Sequence, residues 1–219
     1  MDNHFIIIGT AKSGSSTLYE YLKAHPKTKL ANTKEHNFFM NIGYNWKSSN
    51  YKIFKRKLIF TLGAHNKFVK NKIINRYKEI CKNDKIHISG DGSINYFYFK
   101  EVPKRIKTFA PKAKLILILR NPIDRLYSNY WMNYKQAEKD ANWQWPWNSF
   151  EDFIENGGHT HAINQYTTNL KRWLRYFSLE EILIIDSSNL FKNTNQVLQE
   201  VTSFLGVASI HYTENIWIK

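Results

Sequence analysis

The sequence predicts an α/β fold in which a central, mainly parallel β-sheet is flanked on both faces by helices. Two observations lead there. Short, continuously apolar, β-branched runs alternate with longer amphipathic stretches, and such runs fit strands buried on both faces rather than strands with one face in water. The chain has 219 residues without an internal repeat or low-complexity linker, so residues 1–219 read as one domain with a full core.

The first strand is His4–Ile8, and the helix after it covers 15–24, where Leu18, Tyr21 and Leu22 share a face. Segment 51–85 places Phe54, Leu58, Ile73, Tyr77 and Ile80 among apolar residues at helical spacing within a lysine-rich stretch, which predicts amphipathic basic helices. Ile86–Ser89 is the second strand and 99–109 the helix that follows. Lys114–Leu119 is the third strand, and Pro122 opens a helix over 122–139. Trp143, Trp145, Pro146 and Trp147 interrupt the helices as a loop. Exposed, these rings would offer a sugar or a base a stacking surface; packed, they would cover the core. A helix over 162–177, a strand at Ile182–Ile185 and a helix over 194–205 complete the order. Ligands of such sheets bind at the carboxyl ends of the strands.

Composition narrows the function. With 42% hydrophobic and 16% aromatic residues, the chain is not a disordered tail. Lys and Arg total 32 against 18 Asp and Glu, a formal charge of +14, which favours an anionic partner without choosing its kind. Segments 1–50, 51–85, 86–150 and 151–219 carry +3, +9, +5 and −3. The surplus in 51–85 is either an ordinary solvated lysine face or a patch that meets an anionic substrate. Cys81 is the only cysteine, which excludes an internal disulfide and a cysteine-based zinc cluster and fits a reducing compartment. The apolar runs Phe5–Ile8 and Leu115–Leu119 are far shorter than a bilayer span, and no charged leader precedes a signal-type segment. A cytoplasmic or otherwise soluble protein is the expectation.

The first strand runs into Gly9-Thr10-Ala11-Lys12-Ser13-Gly14-Ser15-Ser16-Thr17-Leu18. Glycine lets the backbone approach an anion, a helix start supplies free N–H groups and a positive dipole end, and the hydroxyls of Ser15, Ser16 and Thr17 add donors. A serine-capped turn would explain the glycines and hydroxyls but not a lysine inside the turn. A nucleoside triphosphatase loop puts its lysine directly after the last glycine, whereas Lys12 precedes Gly14 by two positions. The third strand ends in Arg120-Asn121-Pro122-Ile123-Asp124-Arg125-Leu126-Tyr127-Ser128-Asn129-Tyr130. A guanidinium at a strand end and the Ser128 hydroxyl two turns into the helix can form a second oxyanion clamp; the alternative for Arg120 is a structural ion pair.

The pattern G-x-x-K-S-G-[ST]-[ST]-x-L resembles the phosphosulfate loop of sulfotransferases that use 3′-phosphoadenosine 5′-phosphosulfate (PAPS), and the second run resembles their 3′-phosphate motif R-[DN]-P-x-x-R-x-x-S-x-Y. Lys34-Glu35-His36-Asn37-Phe38-Phe39 resembles K-E-x-H-F-F of glycan sulfotransferases, Gly90-Asp91-Gly92-Ser93-Ile94-Asn95-Tyr96 resembles their G-E-x-S-P-x-Y, and Tyr166 through Asp186 looks like the late helix–strand unit of heparan sulfate N-sulfotransferases. Residues 40–85 and 140–160 carry no such match.

The resemblance implies a P-loop-like fold and sulfuryl transfer from PAPS, leaving 3′-phosphoadenosine 5′-phosphate (PAP), to a hydroxyl or amine of an acceptor, most readily a glycan. It implies no metal and no nucleic-acid partner. Lys12, Ser13, Gly14, Ser15, Ser16 and Thr17 would hold the 5′-phosphosulfate, and Arg120 and Ser128 the 3′-phosphate. Glu35 would take the acceptor proton, with His36 as the competing base, and Lys12 would neutralise the leaving oxygen. The departures are Asn37 where relatives carry histidine, Asn169 where a later histidine is common, and Gly92-Ser93-Ile94 where they carry lysine or alanine, then serine and proline. The lysine- and glycine-rich segment that covers the nucleotide in many relatives has no counterpart before Lys219, which implies a reduced lid or a chain that continues. Two rivals stand beside this reading. A nucleotide kinase would share the strand–loop–helix unit, but the third strand ends in Arg120 where a kinase needs a magnesium-binding aspartate. A basic nucleic-acid-binding protein would explain the charge but neither clamp.

Overall fold

The computed structural model describes residues 3–40, 50–82, 86–140, 145–156 and 165–210, and over 50–57 the backbone alone. Five parallel strands form one sheet in the order β2-β3-β1-β4-β5. They are β1 (His4–Gly9), β2 (Thr28–Leu30), β3 (Ile88–Asp91), β4 (Lys114–Leu119) and β5 (Ile182–Asp186). The helices are α1 (Ser15–Ala24), α2 (Asn50–His65), α3 (Lys67–Ile80), α4 (Val102–Phe109), α5 (Pro122–Lys139), α6 (Phe150–Asn156), α7 (Tyr166–Trp173), α8 (Ser187–Lys192) and α9 (Thr194–Leu205). No helix among the described residues is long and apolar enough to cross a membrane.

Alternation along the strands sorts the core into two layers. Ile6 and Ile8 of β1 and Leu115 and Leu117 of β4 pack with α3, α4 and α7 through Tyr77, Ile106, Phe109 and Trp173. Phe5, Ile7, Ile116 and Ile118 face the other way, onto Leu18 and Leu22 of α1 and Leu198 and Val201 of α9. Every residue of β1 is buried. Gly90 is required beside it, because a Cβ there would lie 2.2 Å from the Phe5 ring.

The order of the strands places the ligand crevice. From β1 the chain passes through α1 to β2 on one side; from β4 it passes to β5 on the other. The loops after β1 and β4 therefore diverge at a topological switch point, where open parallel sheets bind ligands.

Several expectations shift. The second strand lies at Ile88–Asp91 rather than Ile86–Ser89. The helix expected over 99–109 starts at Val102, after a separate 3-10 turn over Ile94–Tyr98. The helix over 162–177 is observed as Tyr166–Trp173, with 162–164 outside the described residues. Strand β2 is too short to show a period, and α8, six residues capped by Asp186, is too short to show a face. Within basic segment 51–85, residues 51–65 belong to α2 and 67–80 to α3, and 83–85 lie outside the described residues. Trp145 and Trp147 pack against a small cluster of Leu126, Tyr130 and Phe153 between α5 and α6, so in these two the covering role outweighs the stacking one; Trp143 lies outside the described residues.

Candidate functional site

The turn between β1 and α1 is pinned to the sheet. Thr10 donates to the Ile118 carbonyl through its amide and its hydroxyl, each at 2.9 Å, and its Oγ1 lies 2.5 Å from Ser13 Oγ. Ser13 is buried and its side chain is spent on the turn. Gly14 precedes α1 with φ +89°, the left-handed region that glycine enters without a Cβ penalty. Lys12 also lies at positive φ. Gly14, the N-cap residue, makes no side-chain hydrogen bond to the first turn of α1, whose amide groups are the ones an oxyanion takes. Ser15 and Thr17 are buried and Ser16 is exposed.

The loop after β4 closes on this turn. Arg120 Nη1 donates to the Lys12 carbonyl at 3.0 Å, and the Arg120 carbonyl accepts from the Tyr166 hydroxyl at 3.0 Å. Lys12 is half-buried, and its pKa is lowered first by burial and then by the neighbouring Arg120. Two cations that repel this way gain from a shared anion. A cavity of about 470 Å³ opens beside them, lined by Arg120, Asn121, Asp124, Asp186, Ser187 and Phe191 among others. Asn121 caps α5 by accepting from the Ile123 amide at 2.9 Å, and Pro122 fits its first position. Ser128 is half-buried four residues beyond Asp124, hence on the same helix face as two cavity-lining residues. Tyr98 stands behind the turn, near Thr10 and Ala11, its pKa pushed up to about 12 mainly by burial.

Segment 34–39 crosses the other side of the turn and is held along its length. The Asn37 amide donates to Ser93 Oγ at 3.1 Å, the Phe39 amide to the Tyr96 hydroxyl at 3.2 Å, and Arg105 to the Phe39 carbonyl at 2.7 Å. Asn37 is buried with φ +51°, a conformation asparagine tolerates better than most side chains, and its Nδ2 donates to the Glu35 carbonyl at 3.1 Å. Asn37 thus shapes the bend that presents Glu35. His36 faces inward: Nδ1 accepts from the Phe38 amide at 3.3 Å and Nε2 lies 3.2 Å from Asp91 Oδ1. The Glu35 side chain stays a quarter exposed and lies 3.6 Å from Lys34 Nζ. Lys34 reaches Ser15 and Ser16 at the start of α1.

Asp91 is the buried hub. It accepts from Ser93 at 2.8 Å and from Tyr77 at 3.1 Å, and Tyr77 in turn accepts from His4 Nε2 at 2.8 Å. Burial raises its pKa, against the lowering effect of His36 and the hydroxyl donors. His4 moves the other way, from 6.5 to about 3, because burial and then the charge of His36 disfavour its cation. The unfolded histidine takes a proton near 6.5 and the folded one only near 3, so between those values acid favours the unfolded chain. Urea midpoints should therefore fall as pH is lowered from about 7 towards about 4, and less steeply in His4→Gln. The raised pKa of Asp91 acts in the opposite sense and is common to both proteins, so parallel profiles would contradict this assignment.

The fold thus brings Lys12, Ser15, Ser16 and Arg120 to one turn, with Glu35 reaching it through Lys34, and sets Ser128 on the helix face beside the Arg120 cavity. The sequence reading did not single out Lys34 as a site residue; its place next to Glu35 was visible, but its reach to α1 was not.

The profile of the family described as sulfotransferase domain matches residues 2–217. The chain is 30% identical over 224 residues to bifunctional heparan sulfate N-deacetylase/N-sulfotransferase 4 of Mus musculus, and 30% identical over 223 residues to bifunctional heparan sulfate N-deacetylase/N-sulfotransferase 3 of Homo sapiens. Each match covers 95% of this chain and 22% of the relative, so the chain spans about a fifth of their length. Among solved structures, a sulfotransferase from Alicyclobacillus acidocaldarius superposes with a TM-score of 0.73 at 20% identity, covering 100% of this chain and 86% of that one. A mouse sulfotransferase complexed with PAP gives a TM-score of 0.58 at 16% identity, over 98% of this chain and 62% of that one. These two likenesses concern the fold.

Proposed function

Because the chain belongs to the sulfotransferase domain family, we propose that it transfers a sulfuryl group from PAPS to an amine or hydroxyl of a glycan acceptor. The observation that carries this reading is the junction at the switch point, where Arg120 at the end of β4 bonds the backbone of Lys12 inside the turn that opens α1. The junction of the two loops then offers two anion sites: helix amides with Ser15 and Ser16 for the 5′-phosphosulfate, and Arg120 with Ser128 for the 3′-phosphate.

The transfer needs positioning and charge more than covalent chemistry. The acceptor nitrogen or oxygen forms a bond to sulfur while the bond from sulfur to the bridging oxygen breaks; the electron pair leaves with PAP, and the acceptor proton goes to Glu35. Lys12 meets the charge that grows on the bridging oxygen. His36 is the weaker candidate for base, since its two nitrogens face the Phe38 amide and Asp91; the inward ring suits holding the segment that carries Glu35.

A glycan acceptor draws support from the relatives, two of which are named bifunctional heparan sulfate N-deacetylase/N-sulfotransferases, and from the basic composition of α3, which carries Lys67, Lys70, Lys72, Arg76 and Lys78 against Glu79. Radiolabelled PAPS incubated with a panel of N-deacetylated sulfated glycan, neutral glycan, lipid alcohol and tyrosine peptide tests it. Label should enter a glycan. Label in the lipid or the peptide alone would move the acceptor class, and label retained in PAPS with every acceptor would contradict the activity.

A further inference from the structure

Transfer as proposed gives work to Lys12 and Glu35 but none to Lys34, whose ammonium lies between Glu35 and the start of α1. Lys34 Nζ donates to Ser16 Oγ at 2.7 Å and to Ser15 Oγ at 3.2 Å, and it stands 3.6 Å from Glu35 Oε1. Its side chain is only 19% exposed. The stem passes over Gly92, where a Cβ would come within 3.2 Å of Lys34 Cγ and 2.7 Å of the Tyr19 ring. A side chain at position 92 would displace the Tyr19 ring and press on the lysine stem, so the stem lies in a close-packed slot, and an ammonium so housed differs from a surface lysine in passing contact. Burial draws its pKa below the ordinary lysine value, and the Glu35 carboxylate draws it back up.

Two geometric points fix what this cation faces. An ammonium has only donors, so in its bonds to Ser15 and Ser16 the serine oxygens accept and both hydroxyl hydrogens stay available to an anion. In an in-line transfer the sulfur lies between the acceptor atom, beside the base, and the bridging oxygen, beside the phosphate on the helix start. A charge placed between Glu35 and the first residues of α1 therefore meets the sulfuryl group itself.

Building on the sulfotransfer reading above, we infer that Lys34 is a second catalytic cation, its ammonium bonding the non-bridging sulfuryl oxygens while Lys12 serves the bridging oxygen. Lys34 keeps its proton throughout. The electron pair of the broken bond goes to PAP and the acceptor proton to Glu35, so nothing further is consumed.

PAP lacks the sulfuryl group, and that difference supplies the test. Affinities for PAPS and PAP are measured by calorimetry, without acceptor, on the parental protein and on Lys34→Met, Lys34→Gln and Lys34→Arg, with melting curves as a check on folding. Met and Gln should weaken PAPS by about tenfold or more, the worth of a lost charged hydrogen bond, and leave PAP within about threefold. Arg should retain most of the preference. A parental ratio of PAPS to PAP affinity in both neutral variants, whether neither nucleotide is affected or both weaken alike, would overturn the role of Lys34 and leave the sulfotransfer reading standing. A parental protein that bound neither nucleotide would instead remove the donor assignment on which the inference rests.

Discussion

Glu35→Gln should lower kcat by roughly 10²–10⁴-fold while leaving PAP affinity and the melting temperature near their parental values, since that is the usual worth of a positioned base. The substitution keeps size and removes basicity. Its effect on folding should be small, because the segment is held through the backbone by Ser93, Tyr96 and Arg105 and not through the Glu35 side chain. Rates at saturating PAPS with one acceptor, measured in parallel for His36→Gln, separate the two candidates. Loss of the His36 ring removes a neighbour of Asp91 and should cost stability as well as rate. A near-parental Glu35→Gln beside an inactive but fully folded His36→Gln would move the base one residue along.

Lys12→Ala should reduce turnover by roughly 10²–10³-fold, as the loss of one preorganised group facing a developing oxyanion does, with a much smaller change in PAP affinity. The reason lies in when the charge is needed: the bridging oxygen gains its negative charge only as sulfur departs. Arginine should not restore the rate. Position 12 has a left-handed backbone inside a tight turn, and the guanidinium of Arg120 already occupies its neighbourhood, leaving little place for a second planar fork. Parental turnover by Lys12→Ala, measured as PAP release in the presence of acceptor, would reduce the turn to an anion cradle.

The parts of this site legible in the sequence are those made of neighbours in the chain. A strand, a glycine- and hydroxyl-rich turn with a lysine, and a helix follow one another over residues 4–24, so their chemistry can be read along the line. The same holds for β4, Arg120, the Asn121 cap and Pro122 at the start of α5. What was not legible crosses between segments. Lys34 meets Ser15 and Ser16 only because α1 and the three-residue strand β2 fold the chain back, and β2 is too short to announce itself by period. Asp91 and His36 are paired across the core, and the left-handed bend at Asn37 answers to that packing. The departure of Asn37 from the pattern of relatives was visible; that it serves the backbone was not. Helix boundaries after β3 moved for a related reason: Ile94–Tyr98 takes 3-10 geometry, placing Tyr96 and Phe97 in the core and the Tyr96 hydroxyl on the Phe39 amide, a constraint absent from local propensity.

In the proposed reading the loops after β1 and β4 together hold a nucleotide with phosphates at both its 5′ and 3′ positions. Titration calorimetry comparing PAP with 5′-AMP tests it most directly, because only PAP sets a phosphate against Arg120 and Ser128. The protein should prefer PAP by at least about tenfold, the worth of one charge-assisted hydrogen bond, and Arg120→Ala should erase most of that preference. Equal affinity for the two nucleotides, or an Arg120→Ala variant that still discriminates as the parent does, would contradict the 3′-phosphate site and the donor assignment with it.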